Sequence, residues 1–131
     1  MNKAELLILL KGLIEMEKMT NRLRREVKEN INMTGVKVTY KCKTKNNFFH
    51  TLDSTNYDFK NHEMLVKEID NICEDSLKYL KTISDSFNGT EAGLGQFWFS
   101  SDDEMVINKD EVTEIWMEIG GYTMPPMNYN K

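Results

Sequence analysis

The sequence predicts an α+β domain: two long helices packed on an antiparallel sheet of about five strands. Three observations predict it. Two proline-free segments, Ala4 to Asn32 and His62 to Phe87, repeat apolar residues at steps of three or four. Several shorter segments between them alternate in polarity or run apolar between turn residues. The chain has 131 residues, 40% hydrophobic and 29% charged, enough for one core and one domain spanning 1–131. The expected order is helix, hairpin, helix, three-stranded meander.

The first helix carries Leu6, Leu9, Leu10, Leu13, Met16, Leu23, Val27 and Ile31 at helical spacing. A helix of about 28 residues is about 42 Å long, more than a domain of this size requires. Leu6 to Leu10 is apolar on every side, so residues 1–33 are expected to serve as a dimerisation element in a homodimer. The same run is too short for a signal peptide and is interrupted by Lys11. No stretch approaches 18 apolar residues, so a cytoplasmic protein without a membrane partner is expected.

Thr34-Gly35 is expected to close that helix. The stretch "VKVTYKCKTK", Val36 to Lys45, then reads as a strand. Lys37, Thr39, Lys41, Lys43 and Lys45 fall on one face, and Val36, Val38, Tyr40, Cys42 and Thr44 on the other. Lys45-Asn46-Asn47 reads as a turn, Phe48 to Leu52 as the returning strand, and Asp53 to Asn61 as a polar loop. Asn61 is placed to cap the second helix, whose apolar side carries Leu65, Ile69, Ile72, Cys73, Leu77, Leu80 and Ile83. "NGTEAGLGQ", Asn88 to Gln96, is a glycine-rich connection without the Gly-Lys-Ser/Thr of a phosphate loop. Phe97 to Phe99, Met105 to Ile107 and Val112 to Ile119 read as the meander, with a turn at Ser100 to Glu104. Gly120-Gly121 is expected to end it, and 122–131, with its two prolines, to form a tail.

No arrangement of nucleophile and base stands out, so an enzyme is not argued and no cofactor is expected. His50 and His62 lie on either side of a polar stretch, and no metal site is assigned to them. Cys42 and Cys73 fall on apolar faces and are expected to be reduced core thiols.

Charge is the feature that is not evenly spread. Residues 18–45 hold nine basic and two acidic residues, a net of +7; residues 46–131 hold six basic and sixteen acidic, a net of −10. Such asymmetry speaks about partners more than about fold. The lysine face of the strand cannot be the buried one, because isolated buried ammonium groups cost too much. Arg22, Arg24 and Arg25 together with Lys37, Lys41, Lys43 and Lys45 are therefore the candidate anion- or partner-binding residues, since guanidinium forks and ammonium groups both pair with phosphate. Phe48, Phe49 and Tyr57 are candidate stacking residues beside them. The acidic Asp102, Asp103, Glu104, Asp110 and Glu111 permit the opposite reading, carboxylates that occupy a basic groove made for nucleic acid. The richness in Asn, Lys, Ile and Met is usual for AT-rich bacterial genomes and their phages. The expected function is a small non-enzymatic binding protein, a phage or mobile-element inhibitor of a nucleic-acid-handling host defence system, with a host protein or nucleoprotein complex as partner. The alternatives are a dimeric protein that binds a nucleotide-like anion or nucleic acid through its basic patch, and a small enzyme of unassigned class.

Overall fold

A computed structural model of the chain describes residues 13–88, 97–99 and 106–124. Helix α1 spans Leu13–Glu29, strand β1 Gly35–Thr44, strand β2 Phe49–Asp58 and helix α2 His62–Asn88. Strands β3 (Phe97–Phe99) and β4 (Val106–Asn108) follow, then a 3₁₀ turn at Lys109–Glu111 and strand β5 (Val112–Tyr122). The described residues form an α+β fold, with two helices and a three-stranded antiparallel sheet in the order β2-β1-β5, and β3 pairs with β4 in a second sheet.

This corrects the expected single sheet and meander. β5 does not continue from β4; it crosses to pair antiparallel with β1, from Gly35 opposite Tyr122 to Thr44 opposite Val112. The physical reason is matched alternation. Ile115, Met117 and Ile119 meet Cys42, Tyr40 and Val38 on one face, while Glu114 and Glu118 meet Lys43 and Thr39 on the other. A three-residue β4 offers no such length of partner.

The core lies between the sheet and the helices. Val36, Val38, Tyr40, Cys42, Ile115 and Met117 pack with Met16, Leu23 and Val27 of α1 and Leu65, Ile69, Ile72, Cys73, Leu80 and Ile83 of α2. Cys42 and Cys73 are both buried, and neither is in a disulfide. The Met117 N–H, on the edge strand, reaches the Met16 sulfur at 3.3 Å, so α1 lies against β5. Asn61 caps α2 as expected, its Oδ1 accepting from the Met64 N–H at 2.9 Å.

Four boundaries depart from the sequence reading. Helix α1 stops at Glu29, short of Asn32, because Asn30 takes over local bonding: its Oδ1 accepts from the Asn32 N–H at 3.1 Å and its carbonyl from the Met33 N–H at 3.1 Å. Ile31 is consequently exposed, and Met33 is buried instead. Gly35 is the first residue of β1, not a helix stop. β2 runs on through the polar stretch to Asp58, with Asp53, Thr55 and Tyr57 opposite Tyr40, Val38 and Val36. β5 passes through Gly120-Gly121 to Tyr122, where a Cβ on Gly121 would run into the Met33 thioether. The expected dimerisation run Leu6 to Leu10, the Ser100 to Glu104 turn and the end of the tail lie outside the described residues.

Candidate binding surface

Residues directly opposite on paired strands share a face, so the registers define two surfaces. The inner one is the core. The outer one faces away from both described helices. On it β1 contributes Gly35, Lys37, Thr39, Lys41 and Lys43; β5 contributes Glu114, Trp116, Glu118, Gly120 and Tyr122; β2 contributes Phe49, Thr51, Ser54, Asn56 and Asp58. The hairpin turn at its end is closed by the Thr44 N–H bonding Phe48 O at 2.9 Å, with Asn47 in the left-handed conformation at φ 63°.

The lysines are held on this face by the apolar residues between them, which the core takes up on the other side. Lys37 is exposed, and Lys41 and Lys43 are half-buried. Lys41 Nζ lies 3.3 Å from Glu118 Oε1, and the Trp116 indole N–H donates to the other Glu118 oxygen at 3.4 Å. One carboxylate thus orients both a lysine and an indole. Among the described residues Lys37 and Lys43 make no ion pair.

Two side-chain bridges cross the central strand, one at each end. At the hairpin end Phe49 of β2 meets Trp116 of β5 edge to face, with ring centroids 5.8 Å apart and planes at 82°. At the opposite end the Tyr122 hydroxyl donates to Asp58 Oδ1, from β5 across to β2. Its ring passes over Gly35, where a Cβ would collide with the ring atoms. Gly35 is therefore required as a flat seat beneath the tyrosine.

The seven basic candidates are not brought to one surface. Arg22, Arg24 and Arg25 sit on α1, on the helical side of the sheet, with Lys37, Lys41 and Lys43 on the other. Arg22 and Arg25 are exposed. Arg24 donates through Nε to Asp70 Oδ1 of α2 at 2.8 Å and through Nη1 to Asn21 at 2.7 Å, which ties the two helices together. Lys45 is exposed in the hairpin turn, where its backbone N–H bonds Glu111 O at 2.8 Å. The exposed Asp110 and Glu111 of the 3₁₀ turn thus stand next to the basic hairpin. Asp102, Asp103 and Glu104 lie outside the described residues. Tyr57 turns inward opposite Val36 and packs on the core, whereas Phe48 and Phe49 are exposed.

Behind β1 a polar seam joins the sheet to α2. Tyr79 donates to Asp53 Oδ2 at 2.6 Å and packs edge to face on Tyr40 at 4.8 Å. Burial pushes the Tyr40 hydroxyl up to about 12, against a lowering contact from Ser76. The bond to Asp53, then burial, push the Tyr79 hydroxyl up to about 12. Burial likewise raises the Cys73 thiol, which faces the Thr20 carbonyl. These groups stay protonated, as befits a structural seam. His62 bonds the Met33 carbonyl through Nδ1 at 2.8 Å, fastening the α1–β1 connection to the start of α2. Among the described residues no group of three His, Cys, Asp or Glu side chains is placed to hold a metal ion, and no helix is long and apolar enough to cross a membrane.

Protein-family models, curated proteins and solved structures were each compared with this chain, and none matches.

Trp116, Tyr122 and Asp58 were not singled out from the sequence. A signal for one existed: Trp116 sits at the polar parity of "TEIWMEI", between Glu114 and Glu118, which places it on the outer face, where it is half-buried and packs against the edge of the core cluster. The Tyr122 bridge had none, because Gly120-Gly121 reads as a strand end.

Proposed function

We propose that this is a small binding protein that engages an anionic, nucleotide-bearing partner through the outer face of its sheet, and that it acts by occupying nucleic acid or the assembly that handles it. The observation that supports this reading is the placement of Lys37, Lys41 and Lys43 along the central strand of a face that neither described helix covers, with exposed or half-buried aromatic rings at both ends. In that reading the lysines meet phosphate, and inhibition of a nucleic-acid-handling host system is the biological form that binding takes. The Arg22, Arg24 and Arg25 group belongs to a separate surface.

The test compares two charge reversals of the purified protein against polyphosphate, mononucleotides and oligonucleotides at two salt concentrations. Lys37→Glu with Lys43→Glu should abolish binding of every anion that the parent holds. Arg22→Glu with Arg25→Glu should leave it intact. Binding lost with the arginine pair and kept by the lysine-reversed variant would overturn the reading. A second reading is favoured by the exposed Asp110 and Glu111 beside the hairpin: an acidic turn offered to a basic groove. It predicts that Asp110→Lys with Glu111→Lys, and not the lysine pair, breaks capture of a nucleic-acid-binding protein.

A further inference from the structure

Trp116 and Tyr122 mark off a stretch of the outer face, which continues past Trp116 to Glu114, Lys43 and Phe49. Trp116 and Tyr122 share it six residues apart on β5, which at ~3.3 Å per residue separates them by about 20 Å. Three strands at ~4.8 Å spacing make it about 14 Å wide. It suits a narrow, extended ligand. About 20 Å spans six nucleotides at a stacked rise of ~3.4 Å, and fewer when the strand is stretched.

Resting on the anion-face reading above, we infer that the ligand is single-stranded nucleic acid, which lies along the face with bases stacked on Trp116 at one end and Tyr122 at the other. Both rings are fixed before any ligand arrives. The indole is held by its bond to Glu118 and by the edge contact with Phe49. The half-buried phenol is held by its bond to Asp58 and rests on Gly35. A ring already immobilised loses little entropy on stacking. Beside Tyr122, Gly120 leaves open space on the same face, room for a sugar or base where a side chain would stand. Lys37, without an ion partner among the described residues, lies on the central strand between the levels of the two rings, and Lys43 lies two residues beyond Trp116, so a backbone that runs past both rings would meet both lysines.

Charge decides how the binding must work. Lys41 is compensated by Glu118, Glu114 stands opposite Lys43, and Asp58 closes the far end. The face is close to neutral, so the lysine–phosphate attraction on which binding depends is modest, and stacking supplies the further affinity that favours an oligonucleotide over polyphosphate. That also separates single strands from duplex, whose bases are not available to stack.

The experiment uses the full chain with Trp98→Phe, which leaves Trp116 as the remaining tryptophan of the two. An unstructured eight-nucleotide DNA, its RNA counterpart and the matching DNA duplex are titrated, with indole fluorescence and oligonucleotide anisotropy as readouts. Expected are quenching of Trp116 by the single strands, weaker binding of duplex, and a slope of log affinity against log salt no steeper than about −2, from three lysines at ~0.7 each. Trp116→Leu should weaken binding roughly 5- to 100-fold, the worth of one stacked base. Trp116→Phe, which keeps a ring, should recover most of it. Asp58→Ala, which frees the Tyr122 ring without removing it, should weaken binding severalfold while circular dichroism shows an intact fold. Equal binding of duplex, no quenching, or affinity indifferent to both Trp116→Leu and Asp58→Ala would overturn the inference. If polyphosphate still binds in a lysine-dependent way while oligonucleotides bind no better, the inference fails and the anion-face reading stands. Loss of all anion binding sinks both.

Discussion

The residues that decide this fold act in pairs across the central strand. Gly35 exists as a glycine because Tyr122 crosses over it to Asp58, and Gly121 because Met33 fills the space beneath it. Both are close-approach glycines rather than chain stops. Tyr40 is the other kind of paired residue, a phenol nearly fully buried yet hydrogen-bonded, with Tyr79 edge-on and Asp53 beyond. Its pKa gives a pH prediction with a definite sign. Burial first, and the Tyr57, Asp53 and Asp75 charges after it, hold the folded hydroxyl near 12 against 10 in the unfolded chain. The folded state therefore keeps a proton that the unfolded state releases. The stabilisation is fully present below pH 10 and is lost as pH rises through 10 to 12. Two units correspond to roughly 2–3 kcal/mol for a group this buried. Tyr79, partly exposed, moves in the same direction. Absorbance titration of the phenolates should show Tyr40 and Tyr79 ionising late, and Tyr40→Phe should remove one late-ionising phenol. Urea unfolding at pH 9, 10 and 11 should show stability falling more steeply in the parent than in Tyr40→Phe. Parallel decline in the two proteins would refute the assignment.

Among elements, α1 offers a direct comparison between an ion pair and an apolar contact one residue apart. Arg24 bridges to Asp70 with good geometry, but the Asp70 side chain is 76% exposed. Such pairs contribute at most about 1 kcal/mol, because water and salt screen them. Leu23 is 2% exposed in the core between α1, α2 and β5. Arg24→Gln should thus shift stability by under about 1 kcal/mol, and Leu23→Ala should cost about 2–5 kcal/mol, both measured by urea denaturation. A larger loss from Arg24→Gln would mean that the bridge sets the helix angle rather than decorating it. The same element shows what sequence can state. Its periodicity from Met16 to Val27 was legible, since burial repeats every three or four residues. Its end was not, because Ile31 continues the apolar pattern while Asn30 and Asn32 terminate it through local bonds. β2 was hidden for a related reason. "DSTNYD" is polar on both faces, and only β1 beside it, apolar on its inward side, makes it a strand.

At the scale of the molecule, what sequence left open was topology. Alternation identified β1 as a strand and assigned its inner face correctly, and Val112 to Ile119 was read as a strand, but nothing in either segment announces that they pair. That pairing also folds the charge asymmetry back on itself. The lysine strand, from the basic half, lies beside Glu114 and Glu118 from the acidic half, so a strongly polarised chain builds a nearly neutral face. The candidate lysines were legible as an exposed row, whereas their separation from the arginines depended on which side of the sheet α1 takes. Because β1 is central and pairs with β2, next in sequence, on one side and with β5, from far along the chain, on the other, losing β5 would leave a two-stranded hairpin, which is marginal in water. The whole unit should then unfold in one step. In the Trp98→Phe background, Trp116 fluorescence reports β5, and far-ultraviolet circular dichroism reports mainly the helices. The two urea transitions should coincide, as two-state unfolding requires. Met117→Ala, at a position with no solvent exposure, should move both midpoints together by the equivalent of about 2–5 kcal/mol. Helical signal that survives after the Trp116 signal has collapsed would divide the chain into two cooperative units and overturn the single-domain reading.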